Sequence, residues 1–193
     1  AQAEGNDSFA MGVGAIADGA SAFALGDFAT DTSNANDSLE TGDGATVQSS
    51  NASAYGTNSR VWTGATQGYA YGYDSRVFIG ATDAIASGTN ANALAPNTIA
   101  YGHNAQTGGI NSVAIGHNAQ TYGTHRHNQS LNAVAIGTSS LANGENSIAY
   151  GSLSNANGHN SVAFGTNASS RGANSYASGS GSIADGTNVR ASG

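Results

Sequence analysis

One six-residue phrase recurs at a fixed distance through this chain, and that recurrence limits the possible folds more than any other feature. Its clearest run is Asn146-Ser147-Ile148-Ala149-Tyr150-Gly151, Asn160-Ser161-Val162-Ala163-Phe164-Gly165, Asn174-Ser175-Tyr176-Ala177-Ser178-Gly179 and the weakened Asn188-Val189-Arg190-Ala191-Ser192-Gly193. The closing glycine returns at every fourteenth position. A unit this short cannot bury a core alone and gains one only by stacking on copies of itself.

The closing glycine can be followed through Gly12, Gly26, Gly42, Gly56, Gly72, Gly88, Gly102, Gly116, Gly137, Gly151, Gly165, Gly179 and Gly193. Eight of the twelve intervals span fourteen positions, three span sixteen and one spans twenty-one. These lengths place two extra residues after each of Gly26, Gly56 and Gly72, and seven after Gly116. No linker or compositional break divides the series, which predicts a single domain over residues 1–193.

Within each repeat the pattern has period two, as in a strand. The residues three and one before the anchor glycine are mostly large, as in Val113 and Ile115 or Val162 and Phe164, and the residue between is Ala in every copy except Glu40. A second, shorter strand follows, with Ala or Ser three residues after the anchor. Gly seven after the anchor and Asn five before the next one suit turns with positive φ. Two strands and two turns in each repeat make one coil, so the fold class is an all-β parallel solenoid of about 13 coils. At about 4.8 Å per coil this predicts a rod on the order of 60 Å. Large residues of one strand facing Ala or Ser of the other would fill a flat roll and leave the Ala row outside, although the reverse arrangement is also buildable. A flat apolar face repeated coil after coil would mark an interface.

Composition excludes several functions. The net charge is −7, with five Arg and no Lys, which argues against nucleic acid or an anionic membrane as partner. Eight of the twelve acids lie between Glu4 and Asp43, and no Arg occurs before Arg60. Cys is absent, so there are no disulfides or thiolate metal sites. No apolar run approaches the roughly 20 residues of a membrane span, so no direct membrane contact by this segment is expected. Neither a nucleophile elbow, a zinc-protease motif nor a phosphate loop occurs, and the acids form no recurrent pair. The expectation is a chain with no catalytic residues, no metal and no cofactor.

Three places suggest binding. Arg60-Val61-Trp62 and Arg76-Val77-Phe78 occupy the same slots of successive repeats, with both Arg four after an anchor. With the two valines turned inward, Arg60, Trp62, Arg76 and Phe78 should project together, and Arg with aromatics is the composition enriched where proteins grip proteins. A structural reading competes, with Trp62 packed under a bulge. His103 and His117 each follow an anchor in successive repeats and should stack on an edge. Without further ligands a solvated or ligand-contacting pair is favoured over a metal site. The seven-residue insertion, with Tyr122, His125, Arg126 and His127, must loop out near residues 123–130 as a contact surface or as neutral drift. Asn58, Asn90, Asn104 and Asn118, with Asp74, share one slot and should form a polar ladder.

The phrase Asn111-Ser112-Val113-Ala114-Ile115-Gly116, with Asn132-Ala133-Val134-Ala135-Ile136-Gly137, resembles the head repeat of YadA-like trimeric autotransporter adhesins. The likeness is clear from Asn97 to Gly179 and weaker from Ser8 to Gly88. It implies a left-handed parallel β-roll, assembly as a homotrimer, and a place at the tip of a fibre anchored in the outer membrane of a Gram-negative cell, with a part in virulence. The implied partners are host extracellular-matrix proteins (collagen, fibronectin or laminin) or a cell-surface receptor. A head phrase followed by His is associated in that family with collagen, and the matching residues are His103 and His117. Thr41, Ser87, Ser178, Ser192 and Arg190 depart from the pattern. The family's heptad stalk and membrane strands do not occur in these residues, which suggests an excised head. A rival reading is a non-catalytic spacer or self-association segment of a bacterial or phage fibre, and a remoter one is a polysaccharide-cleaving solenoid.

Overall fold

The computed structural model describes residues 1–32, 35–122 and 132–193. Its regular structure is entirely β, and every coil consists of one three-residue strand, one two-residue strand and the turns between them. Two compact units result, Ala1–Asn97 and Thr98–Gly193. The first holds seven two-residue strands, from Gln2–Ala3 to Asn92–Ala93, and six three-residue strands, from Phe9–Met11 to Ile85–Ser87. The second holds seven three-residue strands, from Ile99–Tyr101 to Arg190–Ser192, and six two-residue strands, from Gln106–Thr107 to Ile183–Ala184. Together they make a parallel β-solenoid of about 13 turns.

Within each unit like strands pair only with like, in parallel and in strict register. Ala114 lies opposite Ala135, Ala135 opposite Ala149, and Ala149 opposite Ala163. The insertions leave this register intact. Tyr55 pairs with Tyr71, and Ile115 with Ile136, across the lengthened intervals. The amides of each coil donate to carbonyls of the next, as in Ile148 N to Ser161 O at 2.9 Å and Val162 N to Ser175 O at 3.0 Å.

The interior is the reverse of the roll filled by large side chains. Ala24, Ala54, Ala86, Ala100, Ala114, Ala135, Ala149, Ala163 and Ala177, the middle residues of the three-residue strands, are fully buried. They face buried small residues of the two-residue strands and turns, such as Ala105, Thr107, Ala119, Thr121, Ala142 and Ala156. The large neighbours point out: Phe9, Phe23, Tyr55, Tyr71, Tyr101, Ile148, Tyr150 and Phe164 are all exposed. The flat apolar face is therefore the row of large residues, not the Ala row. The physical reason is the size of the coil. Strands this short, joined by tight turns, hold their inner faces so close that Ala, Ser, Thr and Val fill the space and aromatic side chains do not enter it, whereas ordinary stacked sheets sit about 10 Å apart.

Five of the serines three after the anchor satisfy themselves locally. Ser59, Ser75, Ser140, Ser154 and Ser182 each donate a hydroxyl to the anchor carbonyl three residues earlier, at 2.7 to 3.0 Å. This removes the penalty for placing a hydroxyl in the core.

Two expectations about the turns change. The anchors carry the strongly positive φ, for example +134° at Gly102. A Cβ there would also come within 2.5 Å of the Gly116 carbonyl of the next coil. The glycines seven after the anchor, such as Gly144 and Gly158, are not in that φ region. They are needed because a Cβ on Gly144 would fall inside the carbonyl of Gly158, and one on Gly158 inside that of Gly172. The amide ladder also sits elsewhere than expected. It runs through the first Asn of the phrase, Asn111 to Asn132, Asn146, Asn160, Asn174 and Asn188, each Nδ2 donating to the next Oδ1 at 2.9 to 3.3 Å. Asn58, Asp74, Asn90 and Asn118 instead occupy left-handed turns and link coils through their backbone amides.

Candidate functional site

The most differentiated surface lies on the two-residue strands Arg60–Val61 and Arg76–Val77, which pair in register with Arg76 over Arg60 and Val77 over Val61. Both valines are fully buried, so the flanking side chains project outward as expected. Trp62 and Phe78 meet edge to face, with ring centroids 4.6 Å apart and planes at 65°. Such a pair contributes about 1 kcal/mol beyond its burial and holds both rings in a fixed pose.

The two arginines are not equivalent. Arg76 is gripped by Asp74, which accepts from Nη2 at 2.7 and 2.9 Å and from Nε at 3.2 Å. Arg60 is exposed and has no acidic partner among the described residues. One guanidinium is therefore occupied and the other is available beside Trp62. The two-residue insertions lengthen the turns that follow both aromatics. There Ile79 stands 72 % exposed, the most exposed large apolar side chain among the described residues.

Sequence reasoning missed Leu94. Asn92 and Ala93 pair with Arg76 and Val77, and Phe78 N donates to Ala93 O at 2.9 Å, so Leu94 continues the Trp62–Phe78 column. Its offset from Gly88 equals that of Trp62 from Gly56, and this was the available signal.

His103 and His117 stack as expected, ring centroids 5.0 Å apart and planes within 5°, both in the turns after their anchors. Among the described residues no three metal-ligating side chains gather. Tyr122 is exposed, and its hydroxyl donates to Gln106 Oε1 at 2.7 Å, which ties the start of the long insertion to the preceding coil. His125, Arg126 and His127, with the loop at 123–130, lie outside the described residues. The structure joins Arg60, Trp62, Arg76 and Phe78 in one patch within the first unit, and places His103, His117 and Tyr122 in the second.

A different kind of site occupies the coil between Gly26 and Gly42. Asp31, Ser38 and Glu40 stand in core positions that other coils fill mostly with Ala, Val, Thr, Ser or Gly, and they are 1 %, 3 % and 0 % exposed. Glu40 lies between Ala24 and Ala54 of the neighbouring coils. Burial, reinforced by the nearby Asp31 carboxylate and partly offset by the Ser38 hydroxyl, pushes its carboxyl from the usual 4.5 up to about 8. Burial also raises Asp31, against the backbone amides of Gly19 and Asp18 that donate to it.

Comparison with known proteins fits this architecture. The family model described as the YadA head domain repeat matches residues 3–29, 80–105, 108–125, 130–154 and 151–168, more than half of the chain. Among solved structures, the chain is similar to the collagen-binding domain of the Yersinia adhesin YadA, with a TM-score of 0.52 and 23% identity over 79% of this chain and 68% of that one. No curated protein matches the chain. A short repeat of near-constant length, an alanine interior and family-model matches in both units lead to one assignment: this chain belongs to the YadA head domain family.

Proposed function

We propose that residues 1–193 form the head module of a bacterial trimeric autotransporter adhesin, a left-handed β-roll in a homotrimer displayed at the cell surface and anchored through the outer membrane. It attaches the cell to host matrix proteins or a surface receptor and performs no reaction. The observation that carries this reading is the pair of outward columns of large side chains on the three-residue strands of each unit. Phe9, Tyr55, Tyr71, Tyr101, Tyr150 and Phe164 remain 46 % to 58 % exposed in the single chain. Surface of this kind normally marks an interface, and three copies side by side would cover it. With that sheet used for assembly, the opposite sheet with Arg60, Trp62, Arg76 and Phe78, the His103–His117 edge and the Tyr122 loop with His125, Arg126 and His127 remain for the host. Three identical faces per head, on many heads, convert weak contacts into firm attachment. The collagen-binding role of the Yersinia domain makes collagen the first ligand to test, ahead of fibronectin and laminin.

Sedimentation and a binding panel test the proposal. The chain should sediment as a trimer at micromolar concentration and bind at least one of collagen, fibronectin, laminin or whole epithelial cells. Trp62→Ala or removal of residues 123–130 should abolish that binding without changing the sedimentation. A monomer that binds nothing on the panel refutes the reading.

A further inference from the structure

The coil between Gly26 and Gly42 breaks the rule of the interior at two points at once. The slot five after the anchor holds Asp31 where the neighbouring coils have Ala17 and Val47. The slot two before the anchor holds Glu40 where they have Ala24 and Ala54. Ser38 fills the slot four before it, with its hydroxyl near both carboxyls but in hydrogen-bonding geometry with neither. Asp31 Oδ2 is occupied by the amides of Gly19 and Asp18, whereas Asp31 Oδ1, Ser38 Oγ, Glu40 Oε1 and Glu40 Oε2 are buried without a partner among the described residues. Four bare oxygens in an interior of methyl groups would be heavily penalised if both carboxyls were ionised.

Among the described residues the surroundings supply no compensating positive charge. The strands packed on Leu39–Thr41 are Phe23–Leu25, Thr30–Asp31, Thr46–Val47 and Ser53–Tyr55. The titratable groups they bring are Asp31 and Tyr55, whose ring is 46 % exposed on the outer face. Asp18 lies beside Asp31, while Asp27, Asp37 and Asp43 sit in the flanking turns. The sequence before Arg60 contains no Arg or Lys, and Arg60 itself projects outward from its strand.

We infer that Asp31, Ser38 and Glu40 form a proton-binding site inside the roll, in which the carboxyl pair retains one proton at neutral pH, and that this coil is tightened by acid and loosened by alkali. The sign follows from the direction of the shift. A carboxyl that holds its proton more tightly folded than unfolded contributes stability that is complete below its unfolded value and lost as pH rises towards the folded one. For Glu40 the window runs from 4.5 to about 8, and the folding equilibrium weakens up to roughly tenfold for each pH unit crossed. Asp31 acts in the same direction.

Thermal melts of the wild type, Glu40→Gln and Glu40→Ala at intervals from pH 5 to pH 8.5 test this, with amide exchange over residues 22–56 as the local readout. Gln keeps the shape without an ionisable group, and Ala restores the residue of the other coils. Relative to the wild type, both variants should gain melting temperature as pH rises, and their amides here should exchange more slowly at pH 8.5. Curves parallel to the wild type throughout overturn the inference. So does recovery of wild-type stability at pH 8.5 by added calcium, reversed by a chelator, which would make the cluster a cation site.

Discussion

Replacing Ala149 by Leu separates the two possible interiors of this roll. Ala149 is fully buried, between Ala135 and Ala163 of the coils on either side. Leu adds three carbons where neighbouring strands are about 4.8 Å apart and the facing positions are already filled. Overpacking of a closed core costs about 1–3 kcal/mol, occasionally more, and the scarcity of room here puts the expected loss near 3 kcal/mol. With a urea m-value of about 2–3 kcal/mol/M, the midpoint should fall by about 1 M. Ile148, next to it on the same strand, is 41 % exposed. Ile148→Ala should cost only about 1 kcal/mol in the single chain, and that cost should grow under conditions that favour assembly. Urea titrations of both variants at two protein concentrations tenfold apart provide the measurement. A neutral Ala149→Leu beside an Ile148→Ala that loses about 3 kcal/mol at either concentration would refute the alanine interior.

Other outcomes follow from the turns and the charged pair. Asn146 has φ +54° and bonds to both Asn132 and Asn160. Asn146→Gly keeps the backbone conformation and loses only the ladder bonds, so Asn146→Ala should be about 1 kcal/mol less stable than Asn146→Gly in the same titration. Gly158→Ala would drive a methyl into the carbonyl of Gly172. Faster amide exchange across residues 142–186, with the first unit unchanged, is the expected sign. Asp74→Asn keeps a residue that tolerates the left-handed turn (φ +53°) and removes only the charge facing a partly exposed guanidinium, so it should cost less than about 1 kcal/mol in thermal stability, a difference that 0.5 M salt should erase.

The spacing of the coils was legible because a parallel backbone ladder demands equal path lengths, and the departures after Gly56 and Gly72 fell where the structure has a longer turn. Strand positions followed from alternation for the same reason. The inside and outside of the roll were not legible, since period two is symmetric with respect to face. Side-chain size then misled, because Val113 and Ile115 look like core residues until the narrowness of the coil is known. The polar ladder was misplaced because two Asn columns repeat equally well, and only backbone geometry decides which one turns its amides along the axis. Register sufficed to bring Trp62 to Phe78 and His103 to His117. It also held the position of Leu94, which was overlooked because its coil lacks the Arg-Val-aromatic phrase. Glu40 stood out as the one break in the Ala column, but Asp31 and Ser38 acquire meaning only when the three slots are seen to share one coil.

An alanine interior has a consequence for how such a chain can change over generations. Cohesion resides in methyl groups, glycines and main-chain bonds that are nearly the same in every layer, while recognition resides in side chains that contribute little to that cohesion. The outward residues can therefore be rewritten one at a time, from Tyr to Phe or from Arg to Asn, with small effects on folding. A lineage of such chains could alter its specificity widely while its scaffold stays constant.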